Sequence, residues 1–351
     1  MKKNFMKFIF FKSNNFKTFK VSFILILVCI ELLFYFKKLI FKHNNLIKKL
    51  GNFEKDDIPP ELFEQEIFER IKNRFNGKNF MSFDELYFIN GLIRKYKPKK
   101  LLEIGVCSGT VSATILNSIK DIKDAKLYSC DLEKKHYLNN VYEVGYIVKE
   151  NFQELMDKGN LYIGNTTSAF IEKIGGHIDF VYIDTSHVMP GEVLNIIEIL
   201  SFLKKNAIIV FDDIHHHTLN HLINLPNFYP CNNLLMSVLR GKKILFKQNN
   251  DNKDVFKFTK LGAVILDNKQ EDYFFEYFYL LTNNWSYMPN KFEIDTIRKI
   301  VEKYYKPIFL SIFDNAIELN YNHLKLKGLL QKDYILYTFT NAIRENHTIN
   351  N

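Results

Sequence analysis

The chain has 351 residues, of which 47% are hydrophobic and 25% charged, and this composition excludes a disordered or low-complexity protein. The net charge of +9 comes from the N-terminus: residues 1–50 hold eleven lysines and one acidic residue, whereas the rest holds 37 basic and 38 acidic residues. No nucleic-acid partner is expected, because such binding needs a basic surface on the folded body. The four widely spaced cysteines indicate neither a disulfide scaffold nor a zinc site.

An apolar run over residues 21–36 lies within the basic N-terminal segment 1–50. A helix that spans a bilayer needs about 20 residues, and the run reaches that length if it continues past two lysines to residue 41. We therefore expect a single-pass membrane anchor over about 21–41. An interfacial amphipathic helix is the alternative, and a cleaved signal peptide is disfavoured because no small-residue cleavage site follows. Lysines on both sides leave the orientation of the anchor open.

Residues 51–79 are predicted to form a juxtamembrane linker and a helix, because two prolines end at residue 60 and an amphipathic pattern follows over 61–75. Ser82 and Glu85 have the spacing of a capping box, which predicts a helix that continues to about Lys97.

From residue 100 onwards, short apolar runs alternate with helical stretches. The runs cover 100–104, 126–130, 160–163, 178–183 and 207–211. This alternation predicts a Rossmann-like, doubly wound α/β fold with a mostly parallel sheet and helices on both faces. Two further runs, 256–260 and 262–267, predict an antiparallel end to the sheet. We place this domain at residues 80–267 and expect a helical C-terminal extension over 268–351.

The first predicted strand passes directly into a loop that opens a helix near Thr110. The loop region contains Glu103, Gly105, Ser108 and Gly109. Glycines permit a tight turn and the close approach of a ligand, and the helix N-terminus attracts negatively charged groups. The loop lacks the GxGxxG pattern of dinucleotide sites, which disfavours a nicotinamide oxidoreductase. A simple strand–helix turn is the alternative interpretation.

Polar residues follow each of the next predicted strands, where ligands of parallel sheets bind. Asp131 is suited to accept hydrogen bonds from ribose hydroxyls, although aspartate also caps helices. Asn165 is a candidate for the adenine side of the same site.

Three aspartates, Asp184, Asp212 and Asp213, close the fourth and fifth strands. Carboxylates gathered at one edge repel one another, and a hard cation such as Mg²⁺ would relieve that repulsion. The alternative is that each aspartate caps its own loop. His187 follows Asp184 by three residues and is a candidate general base. The three histidines at 215–217 are expected in a solvated loop, because consecutive residues cannot all face one ion.

Four segments resemble the class I S-adenosylmethionine-dependent methyltransferases. They are LLEIGVCSGTVSATIL (101–116), YSCDLE (128–133), DFVYIDTSHVMPGEV (179–193) and AIIVFDDIHHH (207–217). Among these enzymes the chain is most similar to the magnesium-dependent small-molecule O-methyltransferases and the related proteins labelled cephalosporin hydroxylase. The resemblance covers about residues 80–267.

The resemblance implies residue roles. The cofactor, S-adenosylmethionine, would be bound by Glu103, Gly105, Ser108, Gly109, Asp131 and Asn165. The metal, Mg²⁺, would be held by Asp184, Asp212 and Asp213. Among the magnesium-dependent enzymes, those that methylate catechols have a catalytic lysine where this chain has His187. The resemblance therefore implies that His187 and Asp184 are the catalytic residues.

The implied function is metal-assisted O-methylation of a hydroxylated small molecule, sugar or lipid, with the catalytic domain on the cytoplasmic side of the membrane, where the cofactor is made. Two alternatives stay open: a metal-independent methyltransferase in which Asp212 and Asp213 are structural, and a membrane-tethered protein that binds S-adenosylmethionine without catalysis. The acceptor pocket is expected from the segments 134–158, 214–250 and 270–351.

Overall fold

The computed structural model describes residues 53–55, 71, 81–137, 139–216, 227–245 and 260–330, which all lie within one unit that spans Asn52–Asn351. The predicted anchor over about 21–41 and most of the predicted helix over 61–75 lie outside these residues. Among the described helices, none is both long enough and apolar enough to cross a bilayer.

Strands and helices alternate along the described chain. The strands are β1 (Phe53–Lys55), β2 (Lys100–Ile104), β3 (Lys126–Asp131), β4 (Lys135–His136), β5 (Asn139–Glu143), β6 (Gly159–Ile163), β7 (Ile178–Ile183), β8 (Leu203–Phe211), β9 (Gly241–Leu245) and β10 (Gly262–Leu266). The α-helices are α1 (Phe83–Tyr96), α2 (Thr110–Ile119), α3 (Tyr146–Asn151), α4 (Ile171–Ile174), α5 (Gly191–Ile199), α6 (Asn232–Val238), α7 (Phe274–Tyr279), α8 (Lys291–Tyr304) and α9 (Pro307–Leu326).

The predicted capping box begins helix α1. The main-chain N–H of Glu85 donates to Ser82 Oγ at 3.3 Å, and the main-chain N–H of Ser82 donates to Glu85 Oε2 at 2.6 Å. The helix ends at Tyr96, and Lys97 follows it in the left-handed conformation directly before Pro98. Both predicted ends of this helix are confirmed.

Eight strands form one sheet in the order β1-β9-β10-β8-β7-β2-β3-β6. Among the described strands of this sheet, β10 alone runs antiparallel to its neighbours. The prediction of a Rossmann-like, mostly parallel sheet with an antiparallel final strand is therefore confirmed.

The antiparallel strand lies inside the sheet and not at its edge. β10 pairs with β8 on one side and with β9 on the other, and β1 lies beyond β9. Sequence patterns predicted its partner at 256–260, of which the structure describes only Lys260, outside any strand. The partner is β9, which the sequence analysis missed because two lysines break its apolar pattern.

The two faces of the sheet carry two separate hydrophobic cores. Phe180 and Tyr182 of β7 pack on the side of α1, α2 and α3, whereas Val181 and Ile183 pack on the opposite side with α5. This alternation follows from the two-residue period of a strand whose faces are both covered. Helices α7, α8 and α9 belong to the second core, so the described part of the C-terminal extension shares the core of the sheet.

The carboxyl ends of the central strands are held together by main-chain hydrogen bonds. The N–H of Gly105, after β2, donates to Cys130 O of β3 at 2.9 Å. The N–H of Asp184, after β7, donates to Ile104 O of β2 at 2.9 Å. The N–H of Asp212, after β8, donates to Ile183 O of β7 at 3.1 Å. The residues that follow β2, β7 and β8 therefore meet at one edge of the sheet.

Candidate active site

The loop between β2 and α2 depends on two glycines with positive φ. At Gly105 φ is +92°, and a Cβ atom there would lie 1.8 Å from the carbonyl oxygen of Asp184. At Gly109, which precedes helix α2, φ is +91°, and a Cβ atom would lie 3.1 Å from the Cα of Gly145. Among the described side chains none caps α2, so its N-terminal amides can face a ligand.

Glu103 lies beneath this loop, in the core of the sheet. Its side chain is fully buried and Oε2 accepts hydrogen bonds from Ser112 Oγ at 2.6 Å and Ser129 Oγ at 2.5 Å. Burial raises the pKa of Glu103 to about 7, although both serine hydroxyls favour the charged form. Glu103 therefore connects α2 to β3 and supports the loop between β2 and α2.

Ser108, the remaining predicted cofactor residue of this region, is also buried. Its Oγ lies 3.1 Å from Thr110 Oγ1.

Asp131 connects the end of β3 to the loop. Its Oδ2 accepts hydrogen bonds from the main-chain N–H groups of Val106 at 2.8 Å and Cys107 at 3.0 Å. The main-chain N–H of Asn165 lies 3.4 Å from Asp131 O, and Asn165 Oδ1 accepts a hydrogen bond from the N–H of Thr166 at 2.9 Å. The predicted cofactor residues of β2, β3 and β6 thus lie side by side.

The three predicted metal-binding aspartates also come together. The hydroxyl of Tyr182 donates to Asp212 Oδ2 at 2.9 Å and lies 3.5 Å from Asp184 Oδ2. The main-chain N–H of Asp213 donates to Asp212 Oδ1 at 2.7 Å. Burial and the charge of Asp212 raise the pKa of Asp184 well above its ordinary value.

Lys260, which the sequence analysis missed, supplies positive charge to this cluster. Its Nζ lies 3.7 Å from Asp212 Oδ1, 3.7 Å from Asp213 Oδ1 and 3.9 Å from Glu85 Oε2. Burial disfavours the ammonium ion, but the charges of Asp212, Asp213 and Glu85 outweigh burial and raise the pKa of Lys260.

Two imidazoles face the other side of Asp213. His187 Nε2 lies 3.4 Å from Asp213 Oδ2 and 3.4 Å from Asp184 Oδ1, and His216 Nε2 lies 3.3 Å from Asp213 Oδ2. The expected solvated histidine loop is therefore wrong for His216, which is only 4% exposed. Its spacing of three residues from Asp213 is that of one helical turn, and this signal was available in the sequence. His217 lies outside the described residues.

The charges of this cluster determine the protonation of its members. Burial disfavours charge on Asp213, yet Lys260, His216 and His187 outweigh burial and hold the pKa of Asp213 below its ordinary value. Burial likewise disfavours protonated His187, but Asp213 and Asp184 raise the pKa of His187 overall. These charges thus favour the ionised form of Asp213, whereas the raised pKa values of Asp184 and His187 favour their protonated forms.

Glu192 holds His187 in place. It is fully buried, accepts a hydrogen bond from the main-chain N–H of His187, and lies with Oε1 3.6 Å from His187 Nδ1. The side-chain Nδ2 of Asn232 lies 3.4 Å from the same ring nitrogen. Neither residue was predicted as a site residue, because α5 and α6 bring them to His187 only in the folded chain.

The resemblance implies two bound groups, S-adenosylmethionine and Mg²⁺, and the contacts described above fit only the first. The loop at Gly105, the uncapped N-terminus of α2 and Asp131 at the end of β3 fit S-adenosylmethionine. The predicted Mg²⁺ set does not fit as arranged, because the ammonium group of Lys260 lies 3.7 Å from both Asp212 Oδ1 and Asp213 Oδ1, where it repels a cation. Magnesium at Asp184, Asp212 and Asp213 stays a prediction.

Residues 102–214 match a family model described as a methyltransferase domain. The matched segment carries the glycine loop, Asp131, Asp184 and the pair Asp212–Asp213. Over these residues the chain is therefore similar to a methyltransferase domain, and the predicted resemblance to methyltransferases is confirmed at that level. No curated protein matches the chain.

Several solved structures are distantly similar. The O-methyltransferase TomG from Streptomyces achromogenes, in complex with S-adenosylmethionine, is 13% identical over 60% of this chain and 91% of its own, with a TM-score of 0.40. A putative O-methyltransferase from Klebsiella pneumoniae is 15% identical over 64% and 95%, with a TM-score of 0.41. The Podospora anserina methyltransferase PaMTH1 is 19% identical over 66% and 96%, with a TM-score of 0.40.

Proposed function

We propose that this protein transfers a methyl group from S-adenosylmethionine to a hydroxyl group of a small-molecule, sugar or lipid acceptor. The observation that carries the proposal is the contact between the glycine loop and the carboxylate cluster. Gly105 passes so close to Asp184 that a Cβ atom would lie 1.8 Å from its carbonyl oxygen. A cofactor bound at the loop would therefore lie beside the groups that can take up a proton.

On the cofactor side, the chain offers backbone and carboxylate groups. The N-terminus of α2 and the loop at Ser108 and Gly109 would face the carboxylate end of the cofactor, and Asp131 and Asn165 would face the ribose and adenine. Glu103 supports the loop from below through Ser112 and Ser129. When bound, S-adenosylmethionine supplies an electrophilic methyl group on a positively charged sulfur.

On the acceptor side, the chain would position a hydroxyl and take its proton. Asp184 Oδ1 and His187 Nε2 lie 3.4 Å apart at this edge, and their raised pKa values make them stronger proton acceptors than an ordinary carboxylate or imidazole. Most of the rate would come from positioning and from fixed charges, since the methyl transfer itself needs no further covalent chemistry from the protein.

Lys260 favours a metal-independent form of this reaction. Its ammonium group lies 3.7 Å from both Asp212 Oδ1 and Asp213 Oδ1, and so already supplies the positive charge that Mg²⁺ was predicted to bring. The magnesium-assisted form would require Lys260 to withdraw from Asp212 and Asp213.

Methyl transfer by the full-length protein tests the proposal. Labelled S-adenosylmethionine is incubated with hydroxylated phenols, sugars and lipids, with and without a chelator. We expect label in at least one acceptor class, and a loss of roughly 10²–10⁴-fold in Asp184→Asn. Asp179→Asn is the matched control, because Asp179 accepts main-chain hydrogen bonds from Lys99 and Lys100 at the opposite edge of the sheet. Cofactor binding without transfer to any class would instead support a non-catalytic binding protein.

We propose as well that residues 21–41 anchor the protein in a membrane, with the catalytic domain on the cytoplasmic side. The support is the apolar run and its lysine flanks in the sequence. Full-length protein should sediment with membranes, and a variant without residues 1–50 should not. Full-length protein in the soluble fraction would contradict the anchor, and protease protection of the domain in sealed cytoplasm-out vesicles would contradict its sidedness.

A further inference from the structure

We infer that His187, Asp213 and His216 form a binding site for one divalent transition-metal ion. This site differs from the predicted three-carboxylate magnesium set and does not depend on methyl transfer. With an ion on Nε2 of His187, Asp184 alone would take the proton of the acceptor hydroxyl. The three atoms that would coordinate the ion are His187 Nε2, Asp213 Oδ2 and His216 Nε2, and all lie within 4.8 Å of one another.

The distances from the two imidazole nitrogens to the carboxylate oxygen match those between ligands of one ion. His187 Nε2 lies 3.4 Å and His216 Nε2 3.3 Å from Asp213 Oδ2. Two atoms that each lie about 2.0–2.1 Å from a tetrahedral ion are roughly 3.3–3.4 Å apart. Asp184 Oδ1, which is 3.4 Å from His187 Nε2, is placed to provide a further oxygen.

The two oxygens of Asp213 face different partners. Lys260 Nζ and His215 Nδ1 each lie 3.7 Å from Oδ1, whereas His187 and His216 approach Oδ2. The lysine therefore does not occupy the oxygen that would bind the ion. Lys260, which argues against magnesium at Asp212, is compatible with an ion at Oδ2 of Asp213.

The ring of His187 is held in the manner of a metal ligand. Its Nδ1 faces the fully buried carboxylate of Glu192 at 3.6 Å, and Glu192 is itself fixed by a hydrogen bond of 3.0 Å from Thr185 Oγ1. In metalloproteins the second ring nitrogen of a ligating histidine almost always donates to a carboxylate, a carbonyl or water. This contact leaves Nε2 directed at the two aspartates.

The donor set selects the class of metal. Two imidazole nitrogens and one carboxylate suit ions such as Zn²⁺, Fe²⁺ and Co²⁺, whereas Mg²⁺ prefers oxygen donors in an octahedral arrangement. The occupant that this donor set favours is an ion of the zinc or cobalt type, bound at the carboxylate cluster on the proposed acceptor side.

The test uses full-length protein that has been stripped with a chelator and dialysed. Zn²⁺ and Mg²⁺ are titrated by calorimetry, and Co²⁺ is titrated by visible absorption, which reports nitrogen coordination without any variant. We expect one Zn²⁺ per chain, a cobalt spectrum typical of mixed nitrogen and oxygen ligands, and no displacement of Co²⁺ by equal Mg²⁺. Absence of Zn²⁺ binding, or displacement by Mg²⁺, would overturn the site.

Variants locate the ion. His216→Ala should abolish stoichiometric Zn²⁺ binding, and Glu192→Gln should weaken it about 10–100-fold. His177→Ala is the control, because His177 is exposed and precedes β7 at the opposite edge of the sheet. Equal Zn²⁺ affinity in His216→Ala and His177→Ala would also overturn the site. S-Adenosylmethionine binding, measured on the same samples, separates failure of the metal site from failure of the proposed function.

Discussion

Asp131 Oδ2 accepts a hydrogen bond from the main-chain N–H of Val106 at 2.8 Å and thereby holds the glycine loop against the end of β3. Asp131→Ala would remove both this contact and the proposed partner of the ribose. We expect a loss of about 1–3 kcal/mol in S-adenosylmethionine binding, or roughly 5- to 150-fold in Kd, measured by calorimetry.

Asp179→Ala is the matched control for this change. Asp179 also binds main-chain N–H groups, those of Lys99 and Lys100, but at the amino ends of the strands. It should lower the free energy of unfolding and leave cofactor affinity unchanged. Equal cofactor affinities in Asp131→Ala and Asp179→Ala would show that Asp131 does not contribute to cofactor binding.

Alanine substitutions at Gly105 and Gly175 distinguish the effect of steric overlap from that of backbone strain. Both have positive φ, but a Cβ atom at Gly105 would lie 1.8 Å from a main-chain oxygen, whereas at Gly175 the nearest atom would lie at 3.6 Å. Gly175→Ala should cost about 1–3 kcal/mol of unfolding free energy through strain alone. Gly105→Ala should cost clearly more and should abolish cofactor binding. Chemical denaturation of both variants tests this, and equal losses would show that the loop can move away from β7.

Lys260 should stabilise the folded protein through its charge. Lys260→Met would leave Asp212, Asp213 and Glu85 without their nearest ammonium group, and we expect a loss of about 3 kcal/mol, the scale of a broken buried ion pair. Lys260→Arg should retain most of the stability, because arginine keeps the charge. Unchanged unfolding free energy in the methionine variant would show that these carboxylates are neutralised in another way.

Glu103 should make stability depend on pH. Burial raises its folded-state pKa from 4.5 to about 7, so the folded protein favours the protonated form. Its contribution is complete below pH 4.5 and is lost as the pH rises through 7, a change of roughly 3 kcal/mol. As the pH rises from 4.5 to 7, the unfolding free energy of the wild type should therefore fall relative to that of Glu103→Gln. A difference that stays constant from pH 4.5 to pH 8 would contradict the raised pKa.

Sequence patterns located the central sheet well because its strands are apolar on both faces. The runs at 100–104 and 178–183 coincide with β2 and β7, since a strand between two cores is a continuous apolar segment bounded by polar residues. The polar residues just beyond such strands are brought to one edge by the parallel topology itself. For that reason Asp131, Asp184 and Asp212 could be predicted as site residues from their positions alone.

The sequence could not reveal contacts that exist only in the folded chain. Strand β9 contains Lys243, which is fully buried with its ammonium group donating to Leu239 O, whereas a pattern assigns lysine to solvent. Lys260 ends the run predicted as a strand at 256–260, and its role as a partner of the aspartates arises only because β10, which follows it, lies next to β8. Glu192 reads as an exposed residue of a first helical turn, although the structure buries it against His187.

Titration of the full-length protein with S-adenosylmethionine and, separately, with NAD is the most direct test of the account. The glycine loop, the N-terminus of α2 and Asp131 should bind one S-adenosylmethionine per chain, while NAD should not bind, because the loop lacks the GxGxxG pattern. Binding of NAD in place of S-adenosylmethionine, or of neither, would contradict the assignment of this edge of the sheet as a methyl-donor site.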